Sequence, residues 1–428
     1  MTVTTRRLLV HLGLLGLGAC SWPGPRPLEG AVVHDVDAEP ERTLRAGDAF
    51  RGRVFGMEFE APGRDRRYVD AWDVGFAATP GTDGGETQPF ASAYFWRRPD
   101  EDHFLRAVVG GIYNDVTWAQ SPEGWGNLEH LVTLDTFTWP TATREWVDGV
   151  LEDDTEVVWG HVRPGLGLGY RRQVGPAQDN MLAVHFVGEL GSLYFGRGDE
   201  TPAGAELPSS TVEARARVRF RLDMLERNLL ELPHDGYAVG ADLVAGHRFD
   251  WDADPALSFS TDGADYLIGS AYAFGIHGLP GVGSEKHRML GSVHVAGSDG
   301  TDRFSGPRLG GGPDPRGEEY GLVSRPILPG TGLGEFLPET YAVGYVGYRA
   351  QPFWFAFVDV GATLAWLGDL RTGAGPTRDE THRGVGVRLS SGFFGRTRFQ
   401  VLYAYDFDVR RPDGEGGYEL SAHITGYF

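Results

Sequence analysis

Cysteine is nearly absent. Cys20 stands alone in 428 residues, so no internal disulfide can form. Long apolar runs are missing too: outside the N-terminus none approaches the ~20 residues of a membrane-spanning helix, which excludes a helical path through a bilayer for the body of the chain. Basic residues are in deficit, with 39 Lys and Arg against 59 Asp and Glu. The resulting net charge of −20 excludes nucleic acid as a partner, because phosphate binding depends on clustered cations. Catalytic and ligand-binding signatures are also lacking. There is no G-x-S-x-G elbow, P-loop or Rossmann fingerprint, and the 13 histidines show neither H-x-x-x-H nor Cys–His spacing. No cofactor, no metal and no enzymatic activity are expected. His294 and His423 sit on alternating segments that would face a barrel interior, as a membrane lipase requires, but no serine is marked as partner to either. Asp250-Trp251-Asp252-Ala253-Asp254 begins like a calcium loop, yet Pro255 replaces the turn glycine and no Glu stands at the twelfth position. Arg197-Gly198-Asp199 is a chance tripeptide in a glycine-rich chain.

What is present in quantity is glycine, 63 residues, and aromatics, 12% of the chain. The N-terminus has Arg6-Arg7, an apolar core (LLVHLGLLGLG) too short to span, and small residues before Cys20, which together make an export signal over residues 1–19. Residues 20–49, rich in Pro and charge and without a sustained period, read as a tether. From there period-two alternation dominates. At the C-terminus Tyr418, Leu420, Ala422, Ile424, Gly426 and Phe428 share one face, against Glu419, Ser421, His423, Thr425 and Tyr427 on the other. Such segments fall at about 50–61, 67–79, 89–98, 102–115, 128–139, 155–171, 180–196, 212–224, 236–249, 264–277, 286–298, 339–352, 353–368, 382–393, 396–409 and 417–428.

Alternation alone does not separate a soluble sandwich from a wall facing lipid. The export signal, the number of strands and the aromatic terminus favour the wall. An even number of strands lets one chain close into a tube, and closure matters because lipid offers no partner to an open sheet edge. The expected fold is all-β: a 16-stranded antiparallel transmembrane β-barrel over 50–428, with the long connection 299–338 between strands 11 and 12. On the segment 353–368, Trp354, Ala356, Val358, Val360, Ala362, Leu364 and Trp366 would face lipid, leaving Phe357, Asp359 and Gly361 inside.

Several stretches, in order, resemble the bacterial surface antigen family, the barrel of outer-membrane assembly factors of the BamA and TamA type. They are ERNLLELPHDG (226–236), HRMLGSVHVAG (287–297), RLGGGPDPRGEEYG around Arg316, FVDVG (357–361) and GVGVRLSSGFFGRTRFQVLYAYDFD (384–408), with Phe428 resembling the family's C-terminal barrel signal. The resemblance implies that the long loop folds into the lumen, where Arg316, followed by Gly317, would act as a latch on Asp359. Leu-Gly-Ala before Cys20 likewise resembles a lipobox, which implies lipid attachment at Cys20. The family's POTRA domains have no space within residues 20–49, and VGYRAQPF carries Gly347 where an acidic residue is common two positions before Arg349. The function implied is non-enzymatic protein insertion or translocation in the outer membrane. Its partners would be membrane lipid, client outer-membrane proteins or separate periplasmic accessory proteins. Alternatives are a passive or gated pore with 299–338 as plug, and a structural or surface-recognition barrel. A frayed join between first and last strands would favour insertion, and a complete one a pore.

Overall fold

In the computed structural model the described residues are 26–54, 56–79, 87–138, 143–252, 263–312, 326–371, 376–393, 396–412 and 414–428. They form strands only. Three lie in a small N-terminal sheet: β1 (Val33–Asp35), β2 (Ala49–Val54) and β3 (Met57–Ala61). Eighteen follow: β4 (Tyr68–Ala78), β5 (Thr87–Arg97), β6 (His103–Val109), β7 (Tyr113–Gln120), β8 (Leu128–Thr138), β9 (Thr143–Val147), β10 (Val150–Gln173), β11 (Met181–Gly196), β12 (Thr211–Asp223), β13 (Glu226–Arg227), β14 (Pro233–Arg248), β15 (Asp265–Gly278), β16 (His287–Asp299), β17 (Thr340–Phe353), β18 (Ala356–Leu370), β19 (Arg378–Phe393), β20 (Thr397–Arg411) and β21 (Gly414–Tyr427). Setting aside the short β9 and β13, which pair antiparallel with the N-terminal ends of β10 and β14, sixteen strands close one antiparallel barrel in chain order.

Burial runs opposite to that of a soluble protein. Leu166 is 72% exposed and Leu190 61%, while Glu419 is fully buried and Glu189 only 4% exposed. Because side chains alternate across a strand, each ladder turns one apolar row outward and one polar row inward. That exterior suits hydrocarbon; in water it would be an apolar patch far larger than monomers tolerate.

The barrel closes where β21 meets β4, through eight consecutive pairs from Tyr427↔Ala71 to Leu420↔Ala78. Phe428 N–H extends this join by donating to Asp70 C=O at 3.0 Å. The backbones approach closely at Gly75: a Cβ there would lie 2.4 Å from the carbonyl oxygen of Ala422, so only glycine fits.

Four sequence expectations need correction. The segment 50–61 is not a barrel strand but the β2–β3 hairpin of the N-terminal sheet. The segment 102–115 is two strands, β6 and β7, joined at Gly110-Gly111, where Gly111 has φ 78°. These two differences cancel, so the barrel still has sixteen strands and the long connection still follows the eleventh. Within the tether, residues 26–49 are folded against the barrel rather than extended. Trp354 does not face lipid: it occupies the β17–β18 turn, its ring stacked on Phe59 of β3 with centroids 5.0 Å apart. Period two is common to barrel strands and to this hairpin, so alternation could not tell them apart.

Candidate functional site

The interior of the tube is charged. On β12, Arg215, Arg217, Arg219 and Arg221 stand at every second position and so share the inner face. Arg217 Nη2 lies 2.5 Å from Glu189 Oε1 of β11, and Arg215 Nε lies 3.3 Å from the same carboxylate. Arg219 and Arg221 both donate to Asp242 of β14. On β10, Arg163 Nε donates to Glu213 at 2.5 Å and Arg171 Nε to Glu129 at 2.7 Å. Cations across the chain are 38 arginines and the single lysine Lys286. The planar guanidinium stays ionised and meets carboxylates with two parallel donors, which suits a crowded interior better than an ammonium. The alternating ARARVRFR of residues 214–221 was the signal for this row, and the sequence reading passed over it.

The mouth nearest the C-terminus is filled by two segments. One is the N-terminal stretch 26–67. The other is the turn 224–232 between β12 and β14, which folds back into the tube and buries Leu225, Leu229 and Leu230. They meet through Leu44, Phe50 and Phe59 packed on Leu229, Leu230, Leu232 and Phe357. Polar contacts pin them further. Ala46 N–H donates to Arg227 C=O at 2.9 Å and Leu229 N–H to Leu44 C=O at 3.0 Å. Arg66 donates through Nη1 to Asp179 at 2.5 Å and through Nη2 to Glu231 at 2.7 Å, and Arg64 pairs with the same Glu231. Arg45 bridges Glu226 at 2.9 Å and Glu285 at 3.0 Å. Burial works to raise the Asp179 carboxyl, but the guanidiniums of Arg66 and Arg227 outweigh it and hold the group below its ordinary range. Glu285 is held low in the same manner: burial opposes, while the Thr43 N–H and Arg45 favour the charged form.

At the opposite mouth lie the two stems of the long connection, 300–312 and 326–339. The Glu419 carboxylate on β21 accepts from the backbone N–H of Gly312 at 3.1 Å and of Gly330 at 3.3 Å, so one wall residue clasps both stems. Glu335 pairs with Arg411 of β20, with Nη2 at 3.0 Å, and Arg303 and Arg308 both pair with Glu145 of β9, at 2.8 and 2.7 Å. Arg316 and Gly317, the expected latch, lie outside the described residues, as does Cys20. Asp359 does face the interior, and its partner on the adjacent strand is Arg349, which reaches it through Nε at 2.6 Å and Nη2 at 2.8 Å. Arg349 also donates to Pro233 C=O, tying this pair to the first residue of β14, directly after the 224–232 turn. His294 stacks on Tyr272 inside the tube. His423 contacts Gln400 Oε1 at 2.5 Å, and Gln400 Nε2 donates to Ser390 Oγ at 2.9 Å, so an amide separates imidazole from hydroxyl. Phe428 lies at the foot of the closing ladder, edge-on to Phe95 at 6.1 Å.

No family model and no curated protein matches this sequence. Among solved structures the chain is similar to BamA from Haemophilus ducreyi lacking POTRA domains 1–3, at 10% identity over 92% of this chain and 77% of that one, with a TM-score of 0.50. The fold is a BamA-like barrel. The chain also aligns with CdiB from Acinetobacter baumannii at 8% identity, covering 90% of this chain and 64% of that one, TM-score 0.47. For CdiB from Escherichia coli the values are 11% identity, 89% and 68% coverage and TM-score 0.47. At these identities what is shared is architecture; the charged pairs described above belong to this chain's own sequence.

Proposed function

We propose that the chain is a bacterial outer-membrane β-barrel, anchored by lipid at Cys20, that acts without catalysis as a gated conduit. The observation that carries this reading is the pairing of an intact wall with removable stoppers. The β4–β21 ladder is bonded residue by residue, whereas both mouths are filled by segments that pack on the wall through apolar clusters and are pinned to it by ion pairs and backbone clasps. A charged, hydratable interior supports passage of polar solute. The exposed apolar rows supply the fit to lipid.

A second reading, insertion or translocation of client outer-membrane proteins, is supported by the BamA-like fold and by the ordered motifs. It requires the β4–β21 join to part in hydrocarbon, where each unpaired backbone group costs several kcal/mol. The eight-pair ladder favours the conduit for that reason. In planar bilayers the wild-type barrel should be mostly closed. A variant lacking residues 26–61 and carrying Glu419→Ala should conduct steadily. If that variant is folded yet carries no more current than wild type, the conduit is wrong. If the wild-type protein instead speeds folding of another barrel into liposomes, the second reading stands.

A further inference from the structure

At the mouth filled by the N-terminal stretch, a pocket of about 190 Å³ opens between that stretch and the wall. The stretch supplies Asp35, Glu39 and Arg42; the wall supplies Lys286, directly before β16, and Phe353 and Trp354, where β17 turns into β18. We propose that this pocket binds the phosphodiester of a membrane phospholipid head group, with Lys286 as its cation, so that one lipid bridges stopper and wall. The inference goes beyond the conduit reading and holds whether or not the barrel conducts.

Lys286 is the only lysine in the chain. Its backbone is fixed: the N–H donates to Ser284 Oγ at 3.2 Å, and the C=O accepts from Gln351 N–H at 2.9 Å. Its side chain is half-buried and lines the pocket, yet the ammonium makes no hydrogen bond or ion pair among the described residues. The two carboxylates on the pocket wall are engaged elsewhere. Asp35 accepts from Arg51 Nε at 3.1 Å and from Asp37 N–H at 3.1 Å, and Glu39 accepts from Arg42 Nη1 at 3.1 Å. A compact ammonium with three rotatable donors meets phosphate as a point charge. The pocket also lies at the depth of lipid head groups. Val346 and Val360 are exposed on the outer face of β17 and β18, and Phe353, 60% exposed, ends that apolar face, its ring stacked on Phe355 with centroids 5.6 Å apart. Exposed aromatics at the ends of membrane-crossing strands mark the interface. Trp354, the next residue, turns the other way to line the pocket and stack on Phe59. A phospholipid whose acyl chains lie along the wall past Phe353 would therefore place its phosphate beside Lys286. The space exceeds by over tenfold the ~10–15 Å³ that one water needs, which leaves room for a glycerophosphate unit. Free phosphate would gain the ammonium without the apolar contact, and an uncharged diacylglycerol the reverse.

A single lysine makes the test specific. The full barrel in dodecyl maltoside is treated with an acetylating ester, and acetylation of Lys286 is followed by peptide mass spectrometry. Dihexanoyl phosphatidylglycerol at saturation should slow that acetylation at least fivefold. Dihexanoylglycerol and inorganic phosphate, at the same concentration, should each slow it less than twofold. Lys286→Gln removes the ammonium from a side chain with no partner to lose, and should retain at least fivefold less of the phospholipid in native mass spectrometry. Heat-modifiable gel migration confirms that the variant is folded; if it is not, acetylation of the wild-type protein decides. The proposal is overturned by an unchanged acetylation rate, by equal slowing with dihexanoylglycerol, which would make the contact apolar only, or by equal slowing with inorganic phosphate, which would make it a free-anion site. Unchanged retention in the folded variant overturns it too. Neither readout uses conductance, so failure here and failure of the conduit reading are separate results.

Discussion

Replacing Glu231 with glutamine would remove the charge on which Arg64 and Arg66 converge, with little change of shape at a position whose φ is 59°. Glu231 is fully buried and Arg66 nearly so, so water screens this cluster poorly. Removing one partner from a desolvated ion pair costs ~3–5 kcal/mol. Arg66 keeps Asp179, which places the expected loss near the lower figure. At ~1.4 kcal/mol per decade, ~3 kcal/mol raises the open population of the stopper roughly a hundredfold. Hydrogen exchange reads this directly. The amides of Ala46 and Leu229, whose bonds join the N-terminal stretch to the 224–232 turn, should lose about two orders of magnitude of protection, while amides of β18 and β19 keep theirs. If both junction amides exchange within about threefold of wild type, the ion pairs do not hold the stopper. If barrel amides lose protection together with them, stopper and barrel are one cooperative unit, and the detachable-stopper reasoning fails equally.

The far mouth gives a parallel case. Glu419→Ala leaves two buried N–H groups, those of Gly312 and Gly330, without their acceptor at ~1–3 kcal/mol each, so limited proteolysis should cut within 300–339 faster while the barrel core stays resistant. For Asp359, double-mutant cycles against Arg349 and against Arg316 separate the two partners: coupling of ~2 kcal/mol or more is expected with Arg349, and a larger coupling with Arg316 would restore the latch implied by the family resemblance. Acid should release the N-terminal stopper. Asp179 and Glu285 ionise below their ordinary values of 3.8 and 4.5, so their contribution is fully present above those values and is lost as pH falls through the lowered ones. Protection of Ala46 should thus hold from neutrality to about pH 5 and collapse below about pH 4; loss on raising pH to 9 would contradict the assignment.

Much of the wall was legible in the residues. From β8 onward the alternating segments match the observed strands closely, because a strand places consecutive side chains on opposite faces and a half-lipid, half-water wall writes that rule into the sequence. Asp359 was placed on the inner face by parity, and it lies there. The N-terminal region misled for the same reason. Phe50, Gly52 and Val54 alternate with Arg51 and Arg53 as a barrel strand would, yet this hairpin packs its apolar face on Leu229, Leu230 and Trp354. The luminal arginines were readable at 215–221. Their acidic partners were not: Glu213 reaches Arg163 across 50 positions, and Glu419 clasps Gly312 across 107.

The sequence by itself determined that the chain makes strands and, along each wall strand, which side chains face in, since both follow from a two-residue period that backbone geometry enforces locally. Only the tertiary structure decided which alternating segment stoppers the tube instead of lining it, which carboxylate each arginine meets, and where a cavity remains. Those outcomes depend on encounters such as Thr425 with Asp73, 352 residues apart, which closure of the barrel brings together, and Thr43 with Gln351, 308 apart, which docking of the N-terminal segment brings together.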